Sequence, residues 1–249
     1  MKTKKHFGQN FLMDEDAAKE LVDAAAVTKA EVVLEIGPGL GYVTREIALQ
    51  AKKVVALEID RDLITPLREN VKDLENVEII NGDGLDFLRT LEPTNPWSIS
   101  KFISSLPFQI TSPVLQWLAY KKDFIKTASL IIQKEVAERI TAQVPNSNYM
   151  ATFLQTFFEI TLVRVVERIA FDPVPEVDAA IIKLVAKKSA PIATQEIAKY
   201  SKFLHHGFLQ KRKMLNKRFD PELLEKFAID PTRRAETLTE TEWLKLFGS

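Results

Sequence analysis

Three glycines at alternate positions follow one apolar run of the chain, and a carboxylate ends the next apolar run. The glycines are Gly37, Gly39 and Gly41, and the carboxylate is Glu58. Glycines in a strand-to-helix turn let the backbone approach a ligand where a Cβ atom would collide. Glu58 could accept hydrogen bonds from both hydroxyl groups of a ribose. The G-x-G-x-G spacing differs from the G-x-G-x-x-G of dinucleotide-binding folds, so it favours S-adenosylmethionine (SAM) over NAD. For the glycines alone, the alternative is a turn that only tightens strand-helix packing.

A further acidic residue, Asp83, follows the next apolar run. Its carboxylate could accept a hydrogen bond from an adenine amino group and complete a nucleoside pocket with Glu58. The alternative for Asp83 alone is a turn residue or a helix N-cap. Because Asp83 occurs in series with the glycines and Glu58, we interpret it as part of the SAM site.

The stretch Ser105-Leu106-Pro107-Phe108 is similar to the N/D/S-x-P-Y/F element of methyltransferases that act on exocyclic amines. An adenine N6 is a poor nucleophile because its lone pair is delocalised into the ring. Two acceptors, here Ser105 Oγ and the Leu106 carbonyl, could hold its two hydrogens and orient the lone pair towards a methyl group. Phe108 could stack on the base. The alternative is an ordinary strand-to-helix turn with a buried phenylalanine.

Strand-like and helix-like patterns alternate from Glu31 to about Ala142. Strands are predicted at 31–36, 53–58, 77–80, 99–104 and 127–133, and helices at 42–51, 61–72, 112–120 and 134–142. This alternation predicts an α/β fold with a doubly wound, mostly parallel sheet. The runs 159–167 and 177–185 predict an antiparallel hairpin that closes the sheet edge. The combination is typical of Rossmann-like, SAM-dependent methyltransferases.

The C-terminal region is helical in pattern and rich in Lys and Arg. A boundary near residue 189 gives a catalytic domain at 1–189 and a small helical domain at 190–249. The net charge of the chain is zero, but residues 182–249 carry 14 Lys and Arg against 8 Asp and Glu. We predict one RNA-facing strip of basic residues one to two helical turns apart, to which Arg233 and Arg234 could add. Its members are Lys211, Arg212, Lys213, Lys217 and Arg218. The alternative is a solvated helical face.

The composition excludes several classes of chemistry. The chain has 249 residues and no cysteine, which excludes disulfides, thiolate zinc sites and cysteine nucleophiles. The three histidines lack metal-ligand spacing, so no metal is expected. No apolar run approaches the roughly 20 residues of a membrane span. The basic N-terminus is not followed by the apolar segment of a signal peptide, and a cytoplasmic location is expected.

Eight motifs, in the same order along the chain, resemble those of one family. They are Lys4–Leu12, Gly37–Gly41, Glu58–Asp60, Asp83–Gly84, Gln133–Arg139, Phe171–Asp178, Phe208–Leu215 and Arg234–Leu238. By these motifs the chain resembles the small-subunit ribosomal RNA adenine-N6,N6 dimethyltransferases, the KsgA family, with the Erm methyltransferases as close relatives. The position of Ser105 normally holds Asn in this family.

The resemblance implies roles for individual residues. Asn10 and Leu12 would cap the SAM site, and Gly37, with Gly39 and Gly41 in the same turn, would lie beneath the methionine part. Glu58 would hold the ribose, and Asp83 would lie near the cofactor adenine. Phe171 would wall a flipped target base opposite Phe108, with a core aromatic residue as the alternative.

The sequence therefore predicts SAM-dependent dimethylation of adenosine N6 in small-subunit ribosomal RNA, by a monomer that acts on the assembling subunit. The target adenosine would be flipped out of an RNA loop, because its N6 is otherwise stacked or paired. Three alternatives stay open. They are an Erm-like enzyme acting on large-subunit RNA, a non-catalytic assembly factor that retains the fold, and a nicotinamide dehydrogenase.

Overall fold

The computed structural model describes residues 9–210 and 212–248. Within them, β1 (Phe11–Leu12) and β8 (Phe171–Asp172) form a two-stranded sheet. Seven further strands form one large sheet: β2 (Val32–Ile36), β3 (Lys53–Glu58), β4 (Val77–Asn81), β5 (Ile99–Ser105), β6 (Thr127–Gln133), β7 (Phe158–Val166) and β9 (Ala179–Ala186). Their order across the sheet is β4-β3-β2-β5-β6-β9-β7.

Five neighbouring strands, β4, β3, β2, β5 and β6, run parallel, and β9 pairs with β6 in the antiparallel direction. Every residue of β2 is buried, as expected for a central parallel strand that is covered on both faces. The strands β2, β3, β4 and β5 therefore end at one edge of the sheet, where Ile36, Glu58, Asn81 and Ser105 lie. The predicted mostly parallel α/β fold is confirmed.

Helices connect the strands and follow the sheet. They are α1 (Glu15–Ala24), α2 (Tyr42–Gln50), α3 (Arg61–Asn70), α4 (Gly84–Thr90), α5 (Thr111–Lys121), α6 (Lys134–Thr141), α7 (Tyr149–Phe157), α8 (Ile197–Phe208), α9 (Pro221–Lys226) and α10 (Glu240–Phe247). Several of these helices begin at a residue whose side chain caps the helix N-terminus. Asp60 caps α3, Asp83 caps α4 and Asp220 caps α9, each by accepting a backbone N–H of the first turn. None of the described helices is long and apolar enough to cross a membrane.

The described residues divide into two compact units. The first contains the residues through Ala137 together with Thr161–Ala186, and the second contains Glu138–Ile160 together with the residues from Lys187 onward. The segment Glu138–Ile160, which the sequence places in the 1–189 domain, thus belongs to the second unit. The physical reason is α7, which packs on α8. Thr156 Oγ1 lies 3.0 Å from the Tyr200 hydroxyl, and the Phe157 and Tyr200 rings meet edge to face.

An aromatic cluster forms the core of the second unit. Trp243 of α10 is fully buried, and the rings of Phe203, Phe208 and Phe219 lie within 6.0 Å of it, centroid to centroid. Gly207 of α8 lies directly beneath this indole, because a Cβ atom there would lie 2.5 Å from Trp243 Cη2. The close approach of α8 and α10 therefore depends on the missing side chain.

Candidate active site

A cavity lies in the first unit, at the edge where β2, β3, β4 and β5 end. Nine of the residues predicted from sequence line it: Asn10, Gly37, Gly39, Glu58, Asp83, Ser105, Leu106, Phe108 and Phe171. Two predicted residues, Leu12 and Gly41, do not line it. The open edge of a parallel sheet is where the ligands of such folds bind.

The glycine turn forms the floor of the cavity. Gly37 and Gly39 adopt φ angles of +69° and +57°, which residues with a side chain rarely adopt. A Cβ atom on Gly39 would lie 2.8 Å from Phe11 Cδ1, and one on Gly37 would lie 3.2 Å from Pro107 Cδ. The two glycines thus keep the backbone accessible while neighbouring side chains pack closely around it.

Gly41 has a different local role. It begins α2 with a φ of +91°, and a Cβ atom there would lie 2.8 Å from Leu67 Cδ1. Its small size therefore serves the packing of the turn against α3, outside the cavity lining.

Glu58 is the acidic group at the end of β3, and its side chain is held by the backbone. Glu58 Oε2 accepts the Gly39 N–H at 3.1 Å, and Oε1 accepts the Asp60 N–H at 2.8 Å. The residue is only 3% exposed, and this burial raises its pKa, while the two N–H donors act in the opposite direction. A carboxylate oxygen has two lone pairs, so each Glu58 oxygen can still accept a ligand hydroxyl.

Glu35 of β2 is a second buried carboxyl near this site, which the sequence reading did not single out. Burial raises the pKa of Glu35 to about 8, the Thr44 hydroxyl lowers it, and the Glu58 carboxylate raises it further. Glu35 Oε2 has no hydrogen-bond partner among the described residues. Glu35 is therefore largely protonated at neutral pH.

Asp83 performs the alternative role weighed for it while also facing the cavity. Its Oδ1 accepts the Leu85 N–H at 2.7 Å and so caps α4, whereas its Oδ2 makes no hydrogen bond within the described residues. A single carboxylate can thus fix the helix start and still offer an oxygen to a ligand.

The adjacent residues Ser104 and Ser105 at the end of β5 differ in environment. Ser104 is fully buried, and its Oγ donates to the Ile36 carbonyl at 2.6 Å. Ser105 lines the cavity, and its Oγ makes no hydrogen bond with the residues that the structure describes. The Leu106 N–H donates to the Ile131 carbonyl at 3.1 Å, which fixes the loop that follows. The predicted Ser105-to-Phe108 element therefore faces the same cavity as Glu58.

The two-stranded sheet brings the N-terminal segment next to Phe171. Leu12 pairs with Phe171, Phe11 pairs with Asp172, and the Met13 N–H donates to the Ala170 carbonyl at 2.8 Å. Leu12 is buried in the hydrophobic core, while Asn10 and Phe11 line the cavity together with Phe171. Residues 4–8 of the N-terminal motif lie outside the described residues.

Several lining residues escaped sequence reasoning, including Gln9, Ile59, Leu85, Gln109 and Ile110. Gln9 Nε2 donates to Asp60 Oδ2 at 2.7 Å and so joins the N-terminal segment to the end of β3. The signal that could have found Gln9 and Gln109 is position alone, since each stands within or beside a motif already singled out.

The basic segment of the second unit is not the continuous helical strip predicted from sequence. Helix α8 ends at Phe208, and the backbone of Leu215 is held instead by the Arg233 carbonyl, to which its N–H donates at 2.8 Å. Arg212, Lys213 and Lys217 are exposed on the turns that follow, whereas Arg218 is half-buried, and Lys211 is outside the described residues. The prediction of a helical strip was wrong because the Leu215 side chain is buried, which fixes this segment next to the chain around Arg233.

The two later arginines also differ from each other. Arg233 forms a bidentate ion pair with Glu242, at 2.5 and 3.1 Å, and donates to Thr237. Arg234 is exposed. Arg233 therefore stabilises the start of α10, and its guanidinium is already paired with a carboxylate.

Comparison with solved structures places the fold among methyltransferases. The crystal structure of the 23S rRNA methyltransferase ErmE is 28% identical, with a TM-score of 0.77 over 96% of this chain and 98% of its own. A dimethyladenosine transferase from Plasmodium falciparum is 26% identical, with a TM-score of 0.82 over 95% of each chain. The fold and the cavity thus define a Rossmann-like protein of the methyltransferase class.

Sequence comparison gives the family. The family described as "Ribosomal RNA adenine dimethylase" matches residues 1–249. The "Ribosomal RNA small subunit methyltransferase A" of Sulfurihydrogenibium sp. is 34% identical over 100% of this chain and 96% of its own length. The protein of the same name from Persephonella marina is 34% identical over 98% of this chain and 92% of its own. The chain belongs to the ribosomal RNA adenine dimethylase family, which confirms the resemblance found in the sequence.

Proposed function

We propose that this protein transfers methyl groups from SAM to N6 of adenosines in small-subunit ribosomal RNA, giving dimethyladenosine. The observation that carries the proposal is a single cavity lined both by Glu58 and by the Ser105-to-Phe108 element. The same cavity is therefore lined by a carboxylate that could accept ribose hydroxyls and by two acceptors that could hold an exocyclic amine. Family membership over the whole chain supports the same activity.

The residues at the sheet edge fit SAM. The φ angles of Gly37 and Gly39 and the close packing around them leave a backbone cradle at the end of β2, which the methionine part would occupy. The Glu58 carboxylate, preorganised by two backbone N–H groups, would hold the ribose hydroxyls. Asp83 Oδ2 would accept a hydrogen bond from the adenine amino group. Asn10 and Phe11 would close the cavity from the N-terminal side. When bound, SAM supplies an electrophilic methyl group on a positively charged sulfur.

The target base would enter between Phe108 and Phe171. Ser105 Oγ and the Leu106 carbonyl would accept hydrogen bonds from the N6 amine, orient its lone pair and stabilise the positive charge that develops on nitrogen. Phe171 is only 3% exposed, so it would present a fixed apolar wall to a flipped base. The Ser105 side chain is shorter than the Asn that the family has at this position.

The second unit would bind the RNA backbone. Arg212, Lys213 and Lys217 are exposed cations on neighbouring turns, and they would contact phosphates together with Arg218 and Lys211. We propose that the protein acts in the cytoplasm, as a monomer, on the assembling small subunit.

Large-subunit RNA is the second candidate substrate, because the ErmE structure shares the fold at a TM-score of 0.77. The curated relatives at 34% identity are instead named for the small subunit, which favours the first candidate.

Radiolabelled SAM distinguishes the two candidates. The purified protein is incubated separately with small and large ribosomal subunits whose adenines lack N6 methylation, with the Ser105→Ala variant as a control. We expect label in the small-subunit RNA that falls roughly 100-fold or more with the variant. Label confined to large-subunit RNA would identify that RNA as the substrate instead. No label in either RNA would favour a non-catalytic assembly factor.

A further inference from the structure

The pair of acceptors proposed for the N6 amine is unequal in this chain. Ser105 Oγ is one bond beyond Cβ, whereas the amide oxygen of the family's Asn is two bonds beyond it. A serine hydroxyl can also donate a hydrogen bond, whereas an amide oxygen can only accept one.

Gln109 is the polar side chain that lies nearest to this element along the chain and lines the same cavity. It is the middle residue of the 3₁₀ helix Phe108–Ile110, whose Ile110 N–H donates to the Pro107 carbonyl at 3.1 Å. The Gln109 side chain is exposed and makes no hydrogen bond with the described residues. Its amide oxygen is three bonds beyond Cβ and carries two lone pairs and no proton.

We propose that Gln109 Oε1 is a substrate-binding acceptor that shares with Ser105 Oγ the N6 hydrogen on that side of the amine, in a bifurcated hydrogen bond, and so compensates for the short reach of Ser105. This proposal rests on the proposed function. In the transfer, N6 forms a bond to the methyl carbon as the carbon–sulfur bond breaks and its electron pair stays on sulfur, and one N6 proton leaves to water. Gln109 orients the amine and stabilises the charge on nitrogen, but it does not take the proton.

The test is a double-mutant cycle on the rate of the first methyl transfer in a single turnover with small-subunit RNA. The enzymes are wild type, Gln109→Ala, Ser105→Asn and the double variant. Gln109→Met is added because it keeps the length of the side chain without the acceptor. Gln116→Ala is the matched control, since Gln116 is an exposed glutamine of α5 that does not line the cavity.

We expect Gln109→Ala and Gln109→Met to slow the first transfer by roughly 10- to 100-fold in the wild-type background. In the Ser105→Asn background, loss of Gln109 should slow it by less than about threefold, because the longer amide supplies the acceptor. SAM affinity and the thermal unfolding midpoint should stay at the wild-type values, and Gln116→Ala should transfer at the wild-type rate.

Three results would overturn the proposal. Wild-type rates in both Gln109 variants would show that its oxygen is not an acceptor. Equal losses in the wild-type and Ser105→Asn backgrounds would show that Gln109 acts independently, for example on RNA binding. Both results leave the proposed function intact, whereas no transfer by the wild-type enzyme would overturn the function and this inference together.

Discussion

Replacing Glu35 with glutamine should change how the stability of the protein depends on pH. Burial raises the pKa of Glu35 from 4.5 to about 8, so the folded state binds a proton that the unfolded state releases near pH 4.5. The stability associated with this carboxyl is fully present below pH 4.5 and is lost as pH rises towards 8. Between pH 5 and pH 7 the loss amounts to about 2.5 kcal/mol. Glutamine has a similar shape and does not ionise, so the Glu35→Gln variant should lack this loss.

Urea unfolding at pH 5, 6 and 7 measures the effect, because the contributions of all other titrating groups cancel in the difference between variant and wild type. We expect the stability of Glu35→Gln relative to wild type to increase by about 2.5 kcal/mol from pH 5 to pH 7. The matched control is Glu75→Gln, which changes an exposed carboxyl of the same unit. Parallel pH profiles for Glu35→Gln and wild type would contradict a raised Glu35 pKa, because they would mean that Glu35 titrates alike in the folded and unfolded chains.

Three further substitutions test the SAM site, the RNA-binding surface and the core of the second unit. Glu58→Ala should weaken SAM binding by roughly 30- to 150-fold in calorimetry, and near-wild-type affinity would remove Glu58 from the ribose site. Replacing Arg212 and Lys213 with glutamine should reduce the slope of log RNA affinity against log salt by up to about two units, and an unchanged slope would place the RNA surface elsewhere. Gly207→Ala should destabilise the protein by about 1–3 kcal/mol in urea unfolding, because the new methyl group collides with Trp243. An unchanged unfolding midpoint would contradict that contact.

The parts of the fold that follow from local patterns could be predicted from the sequence. The buried parallel strands contain apolar runs, such as residues 54–57 of β3, and the end of that run marks the strand end at the cavity. Glu58 and Asp83 could be found because their positions follow directly from those strand ends. The α/β fold and the family are confirmed, whereas the role of each site residue stays a prediction.

Features that depend on distant contacts could not be predicted. The ion pair between Arg233 and Glu242 engages one of the cations that could add to the predicted RNA surface, and neither residue type reveals this contact. The prediction of a helical strip was wrong because the segment after α8 is fixed by a backbone hydrogen bond between Leu215 and Arg233. Helix α7 was not predicted because its sequence is apolar on most faces, and its place in the second unit depends on contacts with α8, which follows much later in the chain.

Nucleoside analysis of the treated RNA identifies the atom that the protein methylates. Small subunits that lack adenine dimethylation are treated with the protein and SAM, and their RNA is digested to nucleosides for mass spectrometry. We predict N6-methyladenosine at short times and N6,N6-dimethyladenosine at completion, with both absent when Glu58→Ala is assayed at a SAM concentration far too low to fill its weakened site. Methylation at another atom, or none with the wild-type protein, would contradict the account.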